Sequence, residues 1–254
     1  VLNIQNITVR YGGAPVVENF SLAIEAGQIV SLVGESGSGK TTVIRAAMGL
    51  LPSSGRVTAG RIALDDVDLL GCSETDWEKL RGEKFSMIFQ DSGAMINPVR
   101  KIGSQFVEYI RCHEKTTKKN AWYRGVEMLE RMGLPDGERI MRGYAFELSG
   151  GMRQRVGIAM AMTFKPEFLF ADEPTSALDV TTQAEIVRQM IELKDDFGTG
   201  IVIVTHNLGV AAYMSDYIVV MKNGHIVETG DADRIIEHPV DDYTKALIEC
   251  VPTL

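Results

Sequence analysis

Apolar and polar positions divide the chain into three stretches. In the first, Leu2, Ile4, Ile7 and Val9 roughly alternate with polar neighbours, and Phe20, Leu22 and Ile24 do so cleanly, which predicts half-buried strands. Ile29–Val33 is a short run, apolar but for Ser31, ending at Gly34, the pattern of a strand buried on both faces. Thr41–Leu51 is apolar at helical spacing and stops before Pro52, and Val57–Leu64 reads as another strand. In the middle stretch, Ser73–Arg81 predicts a short helix with Ser73 and Asp76 as caps, and Phe85–Phe89 a strand. From Ile102 to about Met141 the spacing is mostly helical, through Phe106, Tyr109, Ile110, Val126, Leu129 and Met132; the charged run Glu114–Asn120 marks a helix junction. The last stretch alternates again: helix Met152–Phe164, buried strand Phe168–Ala171, helix Thr181–Phe197, strand Ile201–Val204, a helix to about Met214, then Tyr217–Met221 and Ile226–Val227 as a hairpin around Lys222-Asn223-Gly224. Ala232–Glu237 and Asp242–Cys250 read as terminal helices.

Strand–helix alternation with apolar, parallel-type strands argues an α/β fold class, with a helical subdomain inserted in the body. The 254 residues and 45% hydrophobic content allow a sizeable core. The charge balance, 26 Lys+Arg against 34 Asp+Glu, disfavours a nucleic-acid binder that works by bulk charge. No apolar run approaches the ~18–20 residues of a membrane span, and Val1–Arg10 lacks the charge pattern of a signal peptide. Cys72, Cys112 and Cys250 are scattered and outside CxxC spacing, which argues against a disulfide framework or zinc site and for a reducing compartment. Cys112-His113 reads as a solvated helix end, and Met152, Met160 and Met162 as helix packing.

Gly34-Glu35-Ser36-Gly37-Ser38-Gly39-Lys40-Thr41 fits G-x-x-x-x-G-K-[ST], between a predicted buried strand and a helix. Such a loop turns backbone N–H groups toward phosphate oxygens, and the helix N-terminus adds positive potential. Lys40 is expected to reach the β- and γ-phosphates and the Thr41 hydroxyl to hold Mg²⁺. Phe168–Ala171 runs into Asp172-Glu173, which places Asp172 for Mg²⁺ and Glu173 as general base on the attacking water. His206 and Gln90 each follow a predicted strand, where α/β proteins bind ligands, and are candidates for the γ-phosphate and for Mg²⁺ or water. Leu148-Ser149-Gly150-Gly151-Met152-Arg153-Gln154-Arg155 makes a second anion-binding helix start at Ser149, Gly150 and Gly151, besides the one at Gly39–Thr42.

With these motifs in order, the chain resembles the nucleotide-binding subunit of an ATP-binding cassette (ABC) transporter over essentially its whole length. The signature LSGGMRQR, Tyr11 at the adenine-stacking position and Ser176-Ala177-Leu178-Asp179 complete the set. Met87–Asp91, Ile96-Asn97-Pro98, Ala171–Val180 with Gln183, Leu208-Gly209-Val210, Val227–Gly230 and the tail His238-Pro239 to Tyr243–Leu247 resemble the peptide/nickel importer group. The resemblance implies a P-loop NTPase core of ABC type with an antiparallel β subdomain and an α-helical subdomain. Residues 1–90 and 165–254 would form the core, and 91–164 the helical signature subdomain.

It further implies ATP and Mg²⁺ as ligands, the latter held by Thr41, Gln90 and Asp172. ATP would lie between Gly34, Ser36, Gly37, Ser38, Gly39, Lys40, Thr41 and Thr42 of one chain and Ser149, Gly150 and Gly151 of a second, with Asp179 crossing the interface. Implied partners are a second ATPase subunit (a sister chain or a copy), two transmembrane permeases and, indirectly, an extracytoplasmic solute-binding protein. The place of work would be the cytoplasmic face of the inner membrane, and the cargo peptides or nickel chelates. Rival readings are the ATPase of a soluble assembly, such as carbon–phosphorus lyase, and a nucleotide-gated clamp with little hydrolysis. The sequence departs from the family pattern at Asn207, where an Asp usually follows the His, at Ser92 in place of a Pro, and at Phe146 in place of a polar residue.

Overall fold

The computed structural model describes residues 1–90, 95–176 and 178–249; Asp91, Ser92, Ala177 and Cys250 lie outside them. In chain order the elements are β1 (Leu2–Tyr11), β2 (Ala14–Ile24), β3 (Ile29–Val33), α1 (Lys40–Ala47), β4 (Gly55–Leu64), β5 (Val67–Asp68) and α2 (Glu74–Leu80), then β6 (Phe85–Ile88), α3 (Ile102–His113), α4 (Lys118–Arg131), α5 (Gly137–Arg142), α6 (Gly150–Met162), β7 (Phe168–Asp172) and α7 (Val180–Phe197). The chain returns through β8 (Gly200–Thr205), α8 (Leu208–Met214), β9 (Tyr217–Lys222), β10 (His225–Asp231), α9 (Ala232–Glu237) and α10 (Asp242–Glu249). It forms two compact units: Val1–Arg81 with the segment from Gly200 on, and Gly82–Thr199.

The first unit holds an antiparallel sheet in the order β2-β1-β4-β5. The broken alternation between Ile4 and Ile7 has a structural cause. Asn6 takes a left-handed conformation (φ 48°) at a register shift, so that both isoleucines reach the core. Ser21 Oγ secures the bulge, accepting the Asn6 N–H at 2.8 Å and donating its own hydrogen to Asn6 Oδ1 at 3.0 Å. A second set of strands has β3 at its centre, parallel to both β8 and β9, with β10 antiparallel on β9. All five residues of β3 and all six of β8 are buried, as strands covered on both faces are, and the polar Ser31 within β3 shares a 2.5 Å hydrogen bond with Ser215 Oγ. Helix α1 stops at Ala47 rather than Leu51, because Leu50 N–H returns to Arg45 O and Gly49 N–H to Ala46 O and close the end.

In the second unit β6 and β7 pair in parallel, and Phe85 packs against Phe168 and Phe170 at ring separations of 6.2 and 5.9 Å. The helical stretch resolves into three helices. Thr117 caps α4 through the Asn120 N–H, which fixes the junction expected at Glu114–Asn120. His113 is not a solvated end: it is half-buried, 4.8 Å from the Tyr109 ring and 5.0 Å from Phe164. Helices α6 and α7 begin at side-chain caps, Ser149 to Met152 N–H and Asp179 to Thr182 N–H. No helix among the described residues is long and apolar enough to cross a membrane.

Candidate functional site

In the first unit the register Val33↔Thr205 makes β3 and β8 end together, so the glycine-rich loop and His206 leave the carboxyl ends of adjacent parallel strands. The loop wraps the side chain of Lys40, which is only 5% exposed. Its ammonium donates to Gly34 O and Glu35 O, both at 2.7 Å, and to Ser38 Oγ at 3.2 Å. The loop is braced from outside as well: Gly224 N–H donates to Ser38 O at 3.1 Å, and Glu18 N–H to Gly224 O at 2.9 Å. Gly39 occupies the cap position of α1, and Thr41 and Thr42 lie half-buried in its first turn. Ser36 and Gly37 are exposed, and a Cβ added at Gly37 would meet nothing within 4 Å, so the loop has an open side. Tyr11 ends β1 with its ring against Gly55, where an added Cβ would come within 2.6 Å of Tyr11 Cε1. Beside the exposed His206, Asn207 caps α8: its Oδ1 accepts Val210 N–H at 3.2 Å and its own N–H donates to Thr205 Oγ1 at 3.0 Å.

The second unit repeats this logic. The register Ile88↔Ala171 brings the ends of β6 and β7 together, and Gln90 Nε2 donates to Glu173 Oε2 at 3.2 Å. Asp172 closes β7 and is 7% exposed. Glu173 is half-buried and takes a left-handed conformation (φ 46°), which is uncommon for a residue that carries a Cβ. Ser149 caps α6, and an added Cβ at Gly151 would lie 2.6 Å from Thr182 Cγ2, so the signature helix starts against the first turn of α7. At Gly150 an added Cβ would meet only Leu178 Cδ2, at the ordinary contact distance of 3.8 Å. Asp179 accepts from both the N–H (3.0 Å) and the hydroxyl (2.7 Å) of Thr182, and these bonds hold its carboxyl below the ordinary value.

Two glutamines fix the loop between these groups, and the sequence reading gave them no role. Gln154 is buried and donates to Pro174 O at 2.6 Å; Gln183 donates to Thr175 O and Leu178 O, both at 2.9 Å. The signal was present: Gln154 shares a helix face with Ile158 and Ala161, a polar residue in an apolar stripe.

A buried parallel strand, a lysine-wrapped glycine loop and a helix starting on it define an α/β nucleotide-binding protein of the P-loop class. The family model for ABC transporters matches residues 17–176. The chain is 43% identical over 241 residues to the oligopeptide transport ATP-binding protein AppD of Bacillus subtilis, covering 94% of this chain and 74% of that one. It is 40% identical to the dipeptide transport ATP-binding protein DppD of Escherichia coli, covering 99% of this chain and 78% of that one. Among solved structures, the ATP-binding cassette MJ0796, a dimer in a post-hydrolysis state with ADP and Pi, superposes with TM-score 0.80 at 26% identity over 91% of this chain and 99% of that one. CbiO1 from Clostridium perfringens, part of the ABC transporter complex cbiONQ, gives TM-score 0.82 at 25% identity over 94% of this chain and 91% of that one. The chain therefore belongs to the ABC transporter family, as one of its ATP-binding, ATP-hydrolysing subunits.

Proposed function

We propose that this chain powers the uptake of short peptides through a separate membrane permease, at whose cytoplasmic face it works. What supports this is the likeness at about 40% identity, over 94% or more of the chain, to oligopeptide and dipeptide transport ATP-binding proteins. That the relatives compared serve peptides favours peptides over nickel chelates.

Each residue has a part in this reading. Tyr11 stacks on the adenine. Gly34, Ser36–Gly39, Thr41 and Thr42 cradle the phosphates through backbone and hydroxyl groups, and Lys40 balances their charge. The oxygen donors of Thr41, Gln90 and Asp172 suit Mg²⁺, which when bound supplies further positive charge at the phosphates. Glu173, oriented by Gln90, takes a proton from the attacking water; the water oxygen bonds to the γ-phosphorus as the bond to the ADP oxygen breaks, yielding ADP and phosphate. His206 positions that water. Ser149, Gly150 and Gly151 serve the nucleotide of a second ATPase subunit facing head to tail, and Asp179 lies at that interface. The arrangement gives ATP binding the work of closing the pair and hydrolysis that of reopening it. The segment 91–164 is the part that meets the permease.

The test is Glu173→Gln, which keeps the shape of the side chain and removes its basicity. ATP binding is expected to persist, turnover to stop, and ATP to hold two subunits together in gel filtration. Unchanged turnover refutes the role of Glu173. For cargo, the chain reconstituted with its permeases and binding protein in liposomes is expected to hydrolyse ATP faster with di- and oligopeptides than with nickel chelates.

A further inference from the structure

The phosphate loop is also held from the C-terminal segment. The phenolic oxygen of Tyr243, in α10, accepts the Glu35 N–H at 2.9 Å across 208 positions of sequence. The carbonyl of that same residue accepts Lys40 Nζ at 2.7 Å and Ser38 N–H at 3.2 Å. Glu35 is thus fixed at its amide by Tyr243 and at its carbonyl by the lysine.

Tyr243 is itself secured. With Leu247 and Ile248 it packs on a buried cluster containing Ile218, Val220 and Val33, the residue that precedes Gly34. The Lys222 ammonium lies 4.5 Å from its ring centroid. Its N–H donates to Asp241 Oδ1 at 2.9 Å. The entry to α10 hangs on Glu228, whose side chain is 5% exposed and whose carboxylate accepts Val240 N–H at 2.9 Å, Asp241 N–H at 3.0 Å and Arg234 Nη2 at 3.3 Å. A continuous path runs from Glu228 through residues 240–241 and Tyr243 to Glu35 and Lys40.

We propose that Tyr243, anchored by Glu228, is a positioning residue of the ATP site, through which the C-terminal segment sets nucleotide affinity. The proposal rests on the phosphate-loop role given above to Gly34–Thr41. Tyr243 acts on the loop and not on the reacting atoms. Displacing the loop weakens ground state and transition state alike, so the effect belongs in affinity and KM and not in kcat. Because Glu35 is exposed and water can replace the lost partner, the effect is modest.

The experiment compares the full chain with Tyr243→Phe, Glu228→Gln and the double variant by ATP titration, steady-state kinetics and thermal melting. Tyr243→Phe keeps the ring and its packing. It is expected to raise Kd and KM for ATP about three- to ten-fold, with kcat within about two-fold of the native value. Glu228→Gln shifts Kd in the same direction, and the double variant falls short of the product of the two single effects, because both act on one path. A native Kd in Tyr243→Phe, a loss in kcat alone, or fully multiplicative effects in the double variant overturns the proposal. If Glu228→Gln does not fold, Tyr243→Phe decides alone. Lys40→Ala separates the two claims. Normal ATP affinity there refutes the phosphate-loop role itself, whereas lost affinity there beside a native Tyr243→Phe refutes only this inference.

Discussion

Two glycines of one motif, three residues apart, are expected to differ sharply in what an added methyl group costs. At Gly34 the backbone sits at φ 145°, and a Cβ would lie 2.1 Å from the carbonyl oxygen of Met221. That oxygen is main chain in β9, which is fully buried at this point and paired with β10, so it cannot swing aside as a side-chain tip would. The backbone conformation costs an Ala about 1–3 kcal/mol, and forcing an atom into a packed site about 1–3 kcal/mol more. Together these give about 4 kcal/mol for Gly34→Ala. At Gly37, φ is 83° and a Cβ meets nothing within 4 Å, so only the backbone term remains. Gly37→Ala then costs about 1–2 kcal/mol. For a chain of this size each kcal/mol lowers Tm by about 2–4 °C, so about 8–16 °C is expected for Gly34→Ala and about 2–8 °C for Gly37→Ala. Thermal melts followed by circular dichroism, with urea titration as a second measure, read both. If the two variants melt together, or Gly34→Ala melts with the native chain, the close approach to β9 is not what fixes this glycine.

Two further outcomes follow from groups already described. Gln154→Met keeps the volume and removes the 2.6 Å bond to Pro174 O, which loosens the loop carrying Glu173; turnover is expected to fall several-fold at unchanged ATP affinity, and native turnover would show that the loop holds without it. Burial alone would raise the Glu228 carboxyl, but the N–H groups of Val240 and Asp241 and the Arg234 guanidinium outweigh it and hold the group below its ordinary value. A lowered carboxyl stabilises the fold above its unfolded-chain pKa, about 4.3, and that contribution is lost as pH falls through the lower folded value. The native chain should therefore melt higher than Glu228→Gln near neutrality, and the gap should close below about pH 4; a gap constant with pH refutes the charge as its source.

The glycine loop was legible because its residues are contiguous and lie between two strongly patterned elements. The same holds for the caps Ser73 and Ser149, whose partners are three residues away. What the pattern did not carry is pairing across distance. Gln90 meets Glu173 only because β6 runs parallel to β7, and period-2 alternation contains no strand order. The first half of β2 escaped notice for a local reason. Asn19, at φ 50°, lies at a register shift within the strand, so the clean alternation from Phe20 onward does not extend back to Ala14. The apolar stripe through Ile158 and Ala161 marks Gln154 as inward-facing, but the acceptor it meets, Pro174 O, lies 20 positions on, in the loop after β7, and is not written in that spacing. Tyr243 was visible only as part of a familiar tail, since nothing near it in sequence points to a loop 208 positions away.

Asn207 holds the start of α8 with an amide oxygen where the family pattern has a carboxylate. The amide supplies the same lone pair to Val210 N–H without a formal charge and without a proton to gain or lose. The strand end that carries His206 therefore presents one anion fewer to an incoming polyphosphate. The cap itself should be indifferent to ionic strength and acidity, conditions under which an aspartate in the same place would weaken.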